Sequence, residues 1–420
     1  MNRLQRRRRT NLTTLPGLVA AGRLLPVQPT TDTGYKLYGA GRLFLPAGTN
    51  LATDPQGTAQ TFWPADGTHN DLTPNQSLPV PLADQPLITK CIKLANDGTA
   101  ESSQTANMTV SASTSYWTTL YVYAPTLGGN LVITGETGTT STVATLTAAN
   151  TGWVRYAAAT NTGVGQTTLA LKFAFAGGTA STVYVTGVCP YAGTVTVPYW
   201  DGSYPGCAWS GTANASTSTR SASDLQFSRT SPFTLFTQAA GTWACRFAPL
   251  FASSASPSNI PLLGISRSGT PSMCIRLTAN ANNIGLVQYD GASFQGNTAA
   301  TSYTAGSLNS AVGRWGGGKI DTDVNGTGAT QADLTITPTP DTDMRIGGND
   351  GSEGASRSYV GPVVLSPTRW SDADKTSFQA NQAALWSDVA ALYNWLKDHG
   401  YANSLILPLQ SDSVGYIVRS

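Results

Sequence analysis

The chain has 420 residues and a mass of 43.8 kDa, enough for two or three domains each with its own core. Only 11% of its residues are charged against 40% apolar, which excludes both a charge-rich disordered chain and a helical protein built on Glu and Lys. The formal charge of +2 hides an asymmetry: Arg3, Arg6, Arg7, Arg8 and Arg9 crowd the N-terminus and leave the rest slightly acidic, which argues against a nucleic-acid-binding body.

In chain order, residues 1–48 are basic, then punctuated by Pro and Gly, and read as an arm that packs on another protein. Within it Arg6, Arg7, Arg8 and Arg9 form the partner-anchoring run, suited to DNA or to an acidic protein surface. Residues 49–200 alternate short β-branched and aromatic runs with Gly, Asn and Thr clusters, the rhythm of a β-sandwich. The pattern predicts strands at Cys91 to Ala95, Met108 to Ser111, Tyr116 to Ala124, Asn130 to Thr134, Gly152 to Ala158, Thr167 to Phe175 and Thr182 to Cys189.

Residues 201–370 form a second β region. It predicts strands at Ser223 to Phe227, Phe233 to Phe236, Gly241 to Pro249, Asn259 to Ser266, Met273 to Thr278, Ile284 to Tyr289, Gly318 to Val324, Ala332 to Thr337, Asp343 to Gly347 and Ser358 to Leu365. So many strands call for two packed sheets. Residues 371–420 change character. Ser371 is a helix N-cap with Asp372 and Asp374 in the first turn, and Leu385, Val389, Leu392, Tyr393 and Leu396 recur at helical spacing until Gly400 supplies a stop. One or two helices and a last strand around Ser404 to Leu409 follow from that pattern.

Cys91, Cys189, Cys207, Cys245 and Cys274 are scattered with no CxxC pair and no nearby His, so they are no zinc framework. The Arg-rich start before Leu15 to Val27 imitates an export signal, but Pro16, Gly17, Arg23 and Pro26 interrupt the apolar run. No stretch reaches the roughly 18 to 20 apolar residues of a membrane span.

The most specific stretch is Pro198-Tyr-Trp-Asp-Gly-Ser-Tyr-Pro-Gly-Cys-Ala-Trp-Ser-Gly211, followed by Asn214-Ala-Ser-Thr-Ser218. Physically it is an extended segment with turns at Asp201-Gly202 and Pro205-Gly206 and an aromatic, Trp209, returning to a core. It resembles the Pro-Tyr-Phe-Asp-Gly…Pro-Gly-Cys-x-Trp-x-Gly-Thr…Ser-Thr-Ser signature of minor tail and other virion proteins of tailed bacteriophages. In that family the signature follows a carbohydrate-binding-module-like jelly roll and precedes a laminin-G or concanavalin-like one. Asn50 to Pro55, Tyr116 to Ala124 and Thr182 to Val188 resemble strands of the first module. Asp323 to Gly326, Arg345 to Gly348 and Gly361 to Leu365 resemble late strands of the second, and Ser371 to Asp374 stands where the family begins its terminal helix. The resemblance spans about Asn50 to Asp374, with one departure: no His-His-Val-Ala strand is recognisable near Gly313 to Lys319.

The fold implied is all-β: two tandem jelly-roll β-sandwiches, residues 49–200 and 201–370, with a basic N-terminal arm and a short C-terminal helical segment. The function implied is structural, in the tail tip, baseplate or a fibre of a phage virion. Other virion proteins would be its partners, together with further copies of the chain, since a trimer suits a fibre.

Candidate chemistry is sparse. A glycosidase needs two carboxylates about 5 to 9.5 Å apart, yet Glu occurs only at Glu101, Glu136 and Glu353. Asp321/Asp323 and Asp341/Asp343 have same-face strand spacing but adjoin turn residues and read as solvated. His69 and His399 are the sole histidines, so a Ser-His-Asp arrangement has little to draw on. No catalytic residue is assigned and no enzyme is expected.

Sugar binding has a sharper pattern. Period-two alternation places Trp117, Thr119, Tyr121 and Tyr123 on one strand face and Tyr116, Thr118, Leu120 and Val122 on the other. If the second set faces a core, Trp117, Tyr121 and Tyr123 form an aromatic strip able to stack on pyranose rings of a host-surface glycan, or to be covered by a neighbouring subunit or the arm. Trp153, Trp200 and Trp209 read as packing residues. No metal site is assigned; the Asp201, Asp290 and Asp350 Asp-Gly loops could offer oxygen ligands to calcium, but turn formation explains them equally. A secreted cellular polysaccharide-binding protein is the alternative function, and a depolymerase the third.

Overall fold

The computed structural model describes the strands at residues 24–27, 31–33, 36–38 and 41–44 and, short gaps aside, residues 47–227, 239–250, 260–300, 307–347, 358–409 and 415–418. The chain forms two compact units, one of Ala47–Ser221 and one of Met1–Pro46 with Ala222–Ser420. Ahead of the first lie β1 (Leu24–Val27), β2 (Thr31–Thr33), β3 (Lys36–Tyr38) and β4 (Gly41–Phe44).

The Ala47–Ser221 unit carries β5 (Gly48–Asn50), β6 (Asn70–Ser77), β7 (Lys90–Asn96), β8 (Glu101–Gln104), β9 (Met108–Thr109), β10 (Tyr116–Gly128), β11 (Leu131–Glu136), β12 (Thr140–Leu146), β13 (Val154–Ala159), β14 (Thr168–Phe175), β15 (Thr179–Ala192), β16 (Cys207–Trp209) and β17 (Ser218–Arg220). All seven strands expected between Cys91 and Cys189 form. They build two antiparallel sheets in the order β13-β10-β15-β7-β6 and β12-β11-β14-β8. Alternation explains the sandwich. Ile92 and Leu94 of β7, Leu120 and Val122 of β10, and Val183 and Val185 of β15 point inward onto Leu131, Ile133, Leu171 and Phe173 of the facing sheet. Each such side chain contributes about 1.5–3 kcal/mol by leaving water.

A small sheet, β16-β17-β5, closes this unit on itself. Asn50 Nδ2 donates to the carbonyls of Val188 (3.2 Å) and Trp200 (3.0 Å), tying the start of the module to its end. Trp200 is buried, edge-on to Tyr191 at 5.3 Å and beneath the Arg220 guanidinium at 5.2 Å. Asp201 makes the expected turn, its Oδ1 accepting from the Ser203 N–H at 2.8 Å. Its Oδ2 also accepts from Tyr199 OH (2.6 Å) and Gln56 Nε2 (2.8 Å), while Tyr204 OH donates to Gln85 Oε1 at 3.0 Å. These bonds lock the Pro198 to Ser218 stretch into the first module. The boundary expected at residue 200 therefore moves to Ser221.

The other unit carries β18 (Asp224–Phe227), β19 (Ala240–Pro249), β20 (Ile260–Arg267), β21 (Thr270–Leu277), β22 (Asn283–Tyr289), β23 (Phe294–Ala300), β24 (Asn309–Gly316), β25 (Lys319–Val324), β26 (Thr327–Gly328), β27 (Ala332–Asp333), β28 (Met344–Ile346) and β29 (Ser358–Ser366). Helices α1 (Asp372–Ser387) and α2 (Val389–Asp398) follow, then β30 (Leu405–Leu407) and β31 (Gly415–Val418). One sheet runs β2-β18-β28-β20-β21-β22-β23, and the other contains β1-β31-β30-β29-β19-β24-β25-β26. The two face each other: a Cβ on Gly313 of β24 would meet the Leu286 Cβ of β22 at 2.9 Å.

Nine of the ten strands expected in this region form, and Phe233 to Phe236 lies outside the described residues. Three were not foreseen, β23, β24 and the two-residue β26. Asn309-Ser-Ala-Val-Gly-Arg-Trp-Gly lacks a β-branched run, yet β24 is buried along its whole length because it lies between β19 and β25 and beneath a helix.

The N-terminal arm is corrected in part. β1 pairs with β31, β2 with β18 and β4 with β29, so these strands of the expected arm belong to this unit's own sheets. Arg6, Arg7, Arg8 and Arg9 lie outside the described residues. The helical segment starts as expected, the Ser371 hydroxyl accepting from the Asp374 N–H at 3.0 Å, and Gly400 ends it at φ +78°. Ala244, Val312, Val364 and Ile406 stand in register across four strands, and Phe378, Trp386, Trp395 and Leu396 of the helices pack on that row. The apolar face of the helices is thus used within its own unit.

Candidate functional site

The expected division of β10 holds on its inner side, where Tyr116, Leu120 and Val122 enter the core. The outer side differs. Trp117 is half-buried, Thr119 fully buried and Tyr121 only 2% exposed. Tyr121 is the correction to the expected strip. Between Thr119 and Tyr121 the β10–β15 register slips, placing Gly187 at φ +62° against the Tyr121 ring. Ile88 adjoins the same spot, and Gln85 Nε2 donates to the Tyr121 hydroxyl at 3.1 Å. The cover comes from the 85–88 segment of the same unit, not from a neighbour or the arm.

Tyr123 remains accessible, and it belongs to a row that runs across the strands instead of along one. Tyr123 pairs with Tyr184 of β15, Tyr184 with Lys93 of β7, and Lys93 with Thr73 of β6. On the far side of Tyr123 stands Trp153, its ring 5.9 Å away and tilted by 53°. The Tyr123 and Tyr184 rings are also 5.9 Å apart and within 18° of parallel. Trp153, Tyr123, Tyr184 and Lys93 are all half-buried. Adjacent strands about 4.8 Å apart dictate this stepping, and Val185 and Val183 beside Tyr184 anchor the sheet from its inner face.

Trp153 is held in place, because its Nε1 donates to the Val80 carbonyl at 2.8 Å. Neither the Tyr123 nor the Tyr184 hydroxyl, nor the Lys93 ammonium, has a polar partner among the described residues. Partial burial, with Cys91 and Tyr123 close by, raises the Tyr184 phenol above its usual value. It is therefore a neutral donor at physiological pH. Beside the row, Thr126, Thr182, Ala95 and Asp71 align as a shallow strip of small residues. The ensemble offers three ring edges and faces, two phenolic hydroxyls and one cation on one sheet surface. Trp153, assigned to packing from sequence, and Tyr184 were missed. The alternation of Thr182, Tyr184 and Thr186 against Val183 and Val185 does signal Tyr184's outward face.

The carboxylates behave differently from expectation. Asp321 and Asp323 are not solvated turn residues; both are buried on β25. Asp321 accepts from Arg314 Nε (2.9 Å) and Nη2 (2.5 Å) and from Arg369 Nη2 (2.9 Å), and Arg314 Nη2 reaches Asp372 Oδ1 as well. Arg314 Nη1 donates to the Trp370 carbonyl, so the cluster pins the segment entering α1 to the sheet. Asp323 lies 3.7 Å from Lys375, and burial raises its carboxyl pKa. A cleft of about 790 Å³ adjoins this cluster, but its Arg314, Lys319 and Arg369 cations already hold acidic partners.

Asp341, Asp343 and Glu353 lie outside the described residues. Glu101 accepts from the Thr68 and His69 N–H groups, and Glu136 from the Thr134 and Thr140 hydroxyls. His69 pairs with Asp97 at 2.9 Å, and His399 stacks on Trp395 at 4.3 Å. Asp201 is saturated by its turn, Asp290 and Asp350 are outside the described residues, and among the described residues no three His, Cys, Asp or Glu side chains converge on a metal position. No helix among them is long and apolar enough to cross a membrane.

No family model and no curated protein matches the sequence. Among solved structures, the receptor-binding domain of botulinum neurotoxin mosaic serotype C/D aligns at a TM-score of 0.31 and 9% identity, over 38% of this chain and 39% of that one. Trypanosoma rangeli sialidase aligns at 0.30 and 14%, over 51% and 43%. The heptameric SAP-like pentraxin of Limulus polyphemus aligns at 0.26 and 11%, over 33% and 69%. The chain spans about two fifths of the length of the neurotoxin domain, 39%.

Proposed function

We propose that this chain is a non-enzymatic virion component of a tailed phage, in the tail tip, baseplate or a fibre, and that its Ala47–Ser221 unit holds host-surface glycans on the Trp153–Tyr123–Tyr184 row. The row carries the glycan reading. Sugar rings present flat C–H faces that bury well on aromatic side chains with little entropy to lose, and hydroxyl-rich edges that suit the two phenols and Lys93. Single contacts of this kind are weak, and repetition of the chain around a particle turns them into avidity.

The virion assignment rests on the resemblance of Pro198 to Ser218 to the phage signature. That stretch is built into the first module by Asp201, Tyr199 and Gln56. A depolymerase is disfavoured because the strongest carboxylate candidate, Asp321, is neutralised by two guanidinium groups.

A glycan array with the wild type, Tyr184→Ala, Trp153→Ala and Tyr121→Phe tests the binding half. Binding that the two alanine variants weaken about tenfold or more and Tyr121→Phe leaves intact is expected; equal binding by all four overturns the assignment of the row. Mass spectrometry of purified phage particles tests the other half, and absence of the chain from them refutes it.

A further inference from the structure

Strand β13 ends the five-stranded sheet. Among the described residues no strand pairs with it other than β10, and Val154, Arg155 and Ala159 are exposed with Tyr156 to Ala158 half-buried. The polarity of its backbone follows from one bond. The Thr160 N–H donates to the Tyr116 carbonyl (2.9 Å), so by antiparallel alternation Ala158, Tyr156 and Val154 direct their N–H and C=O groups at β10, whereas Arg155, Ala157 and Ala159 direct theirs outward. Natural edges are usually blunted by a free Lys, a Pro or a bulge. β13 has none: its register with β10 is unbroken, and its one charge is drawn back, Arg155 Nη2 donating to Thr196 Oγ1 (2.7 Å) and the Val197 carbonyl (2.5 Å).

We propose that β13 is a self-docking edge, at which a second copy of this chain adds its own β13 antiparallel. One register uses every outward group, with Ala157 opposite Ala157 of the second copy and Arg155 opposite Ala159, giving about six backbone hydrogen bonds. That register is complementary in size. The bulky half, Arg155 and Tyr156, meets the alanine half, Ala159 and Ala158, and no like charges oppose one another. On the inner side Tyr156 and Ala158, which already pack against the core, extend it across the junction. The dyad stands perpendicular to the sheet, so the two copies make one ten-stranded surface with both aromatic rows on the same face. The docking does not depend on the glycan reading.

Sedimentation velocity on the full chain between about 1 and 100 µM tests it, since an edge this short gives an affinity in that range. A concentration-dependent dimer is expected, weakened at least tenfold by Ala157→Pro, which removes an outward N–H and leaves the β10 bonds intact. Circular dichroism verifies that the variant folds. In a Cys207→Ser background, Ala157→Cys should cross-link with diamide, because paired Cα atoms about 5.5 Å apart suit a disulfide, while Ala159→Cys should not. A wild type that stays monomeric throughout, or cross-linking by Ala159→Cys in preference to Ala157→Cys, overturns the proposal and leaves the edge to a different partner.

Discussion

Tyr123 lies directly opposite Tyr184 across the β10–β15 pair, and the two rings run within 18° of parallel at 5.9 Å. That pairing turns a strip expected along one strand into a row across three. With Trp153 fixed by Val80 at one end and Lys93 at the other, the row has a defined direction. Tyr184→Ala should therefore weaken glycan binding by about tenfold, or ~1.4 kcal/mol, with no loss of stability beyond about 1 kcal/mol. Isothermal titration beside a urea melt reads both quantities.

Tyr121, by contrast, is a packing residue that links Gln85 to the sheet. Tyr121→Phe should cost about 1 kcal/mol of stability, the value of one buried hydrogen bond, and leave ligand affinity unchanged. A loss of affinity without a loss of stability would contradict the placement of Tyr121 beneath the 85–88 segment.

Gly187 occupies a left-handed conformation at the register slip, where an added Cβ would come within 2.8 Å of Tyr121 Cδ2 and 3.0 Å of Ile88 Cδ1. Gly187→Ala should destabilise the Ala47–Ser221 unit by about 1–3 kcal/mol through strain and overpacking. The urea midpoint measures it; an unchanged midpoint would count against the bulge.

The Arg314 hydrogen bond holds the Asp372 carboxyl below the usual carboxylate range. A depressed folded-state pKa contributes stability that is present above the unfolded value, near 4, and is lost as pH falls through the folded one. The second unit should weaken on acidification below about pH 4, and Asp372→Asn should flatten that dependence. Chemical denaturation at a series of pH values distinguishes parallel from converging curves. Asp321→Asn, which leaves two guanidinium groups without their buried counter-ion, should cost about 3–5 kcal/mol.

The five cysteines are free thiols, and burial pushes Cys91 up to about 12 and Cys189 and Cys245 higher still. Cys207 alone among them is half-exposed. Alkylation at pH 8 followed by peptide mapping should label Cys207 first, and rapid labelling of Cys91 would be inconsistent with its burial.

Much of the architecture was legible in the chain because it rests on local signals. Period-two runs around Ile92, Leu120 and Val183 marked the strands, and Ser371 with Asp374 marked the start of α1. The signals failed where context outweighs composition. Strand β24 carries Gly313 and Arg314 and has no β-branched run, yet it is wholly buried because its neighbours cover it. Asp321 looked like a turn acid until Arg314 and Arg369 arrived from β24 and from the segment before α1.

The low charge, the basic start and the period-two runs are properties of the sequence alone; the runs determined an all-β body, and the low charge gave it neutral strand faces. Which of those faces are open was decided only by tertiary structure. Alternation tells which residues share a side of a strand, but register between strands separated by many residues depends on bulges such as that at Gly187 and on covering segments such as 85–88. Those two features hid Tyr121 and aligned Tyr123 with Tyr184 and Trp153, so the candidate site was assembled from three strands' worth of sequence that no local pattern connects.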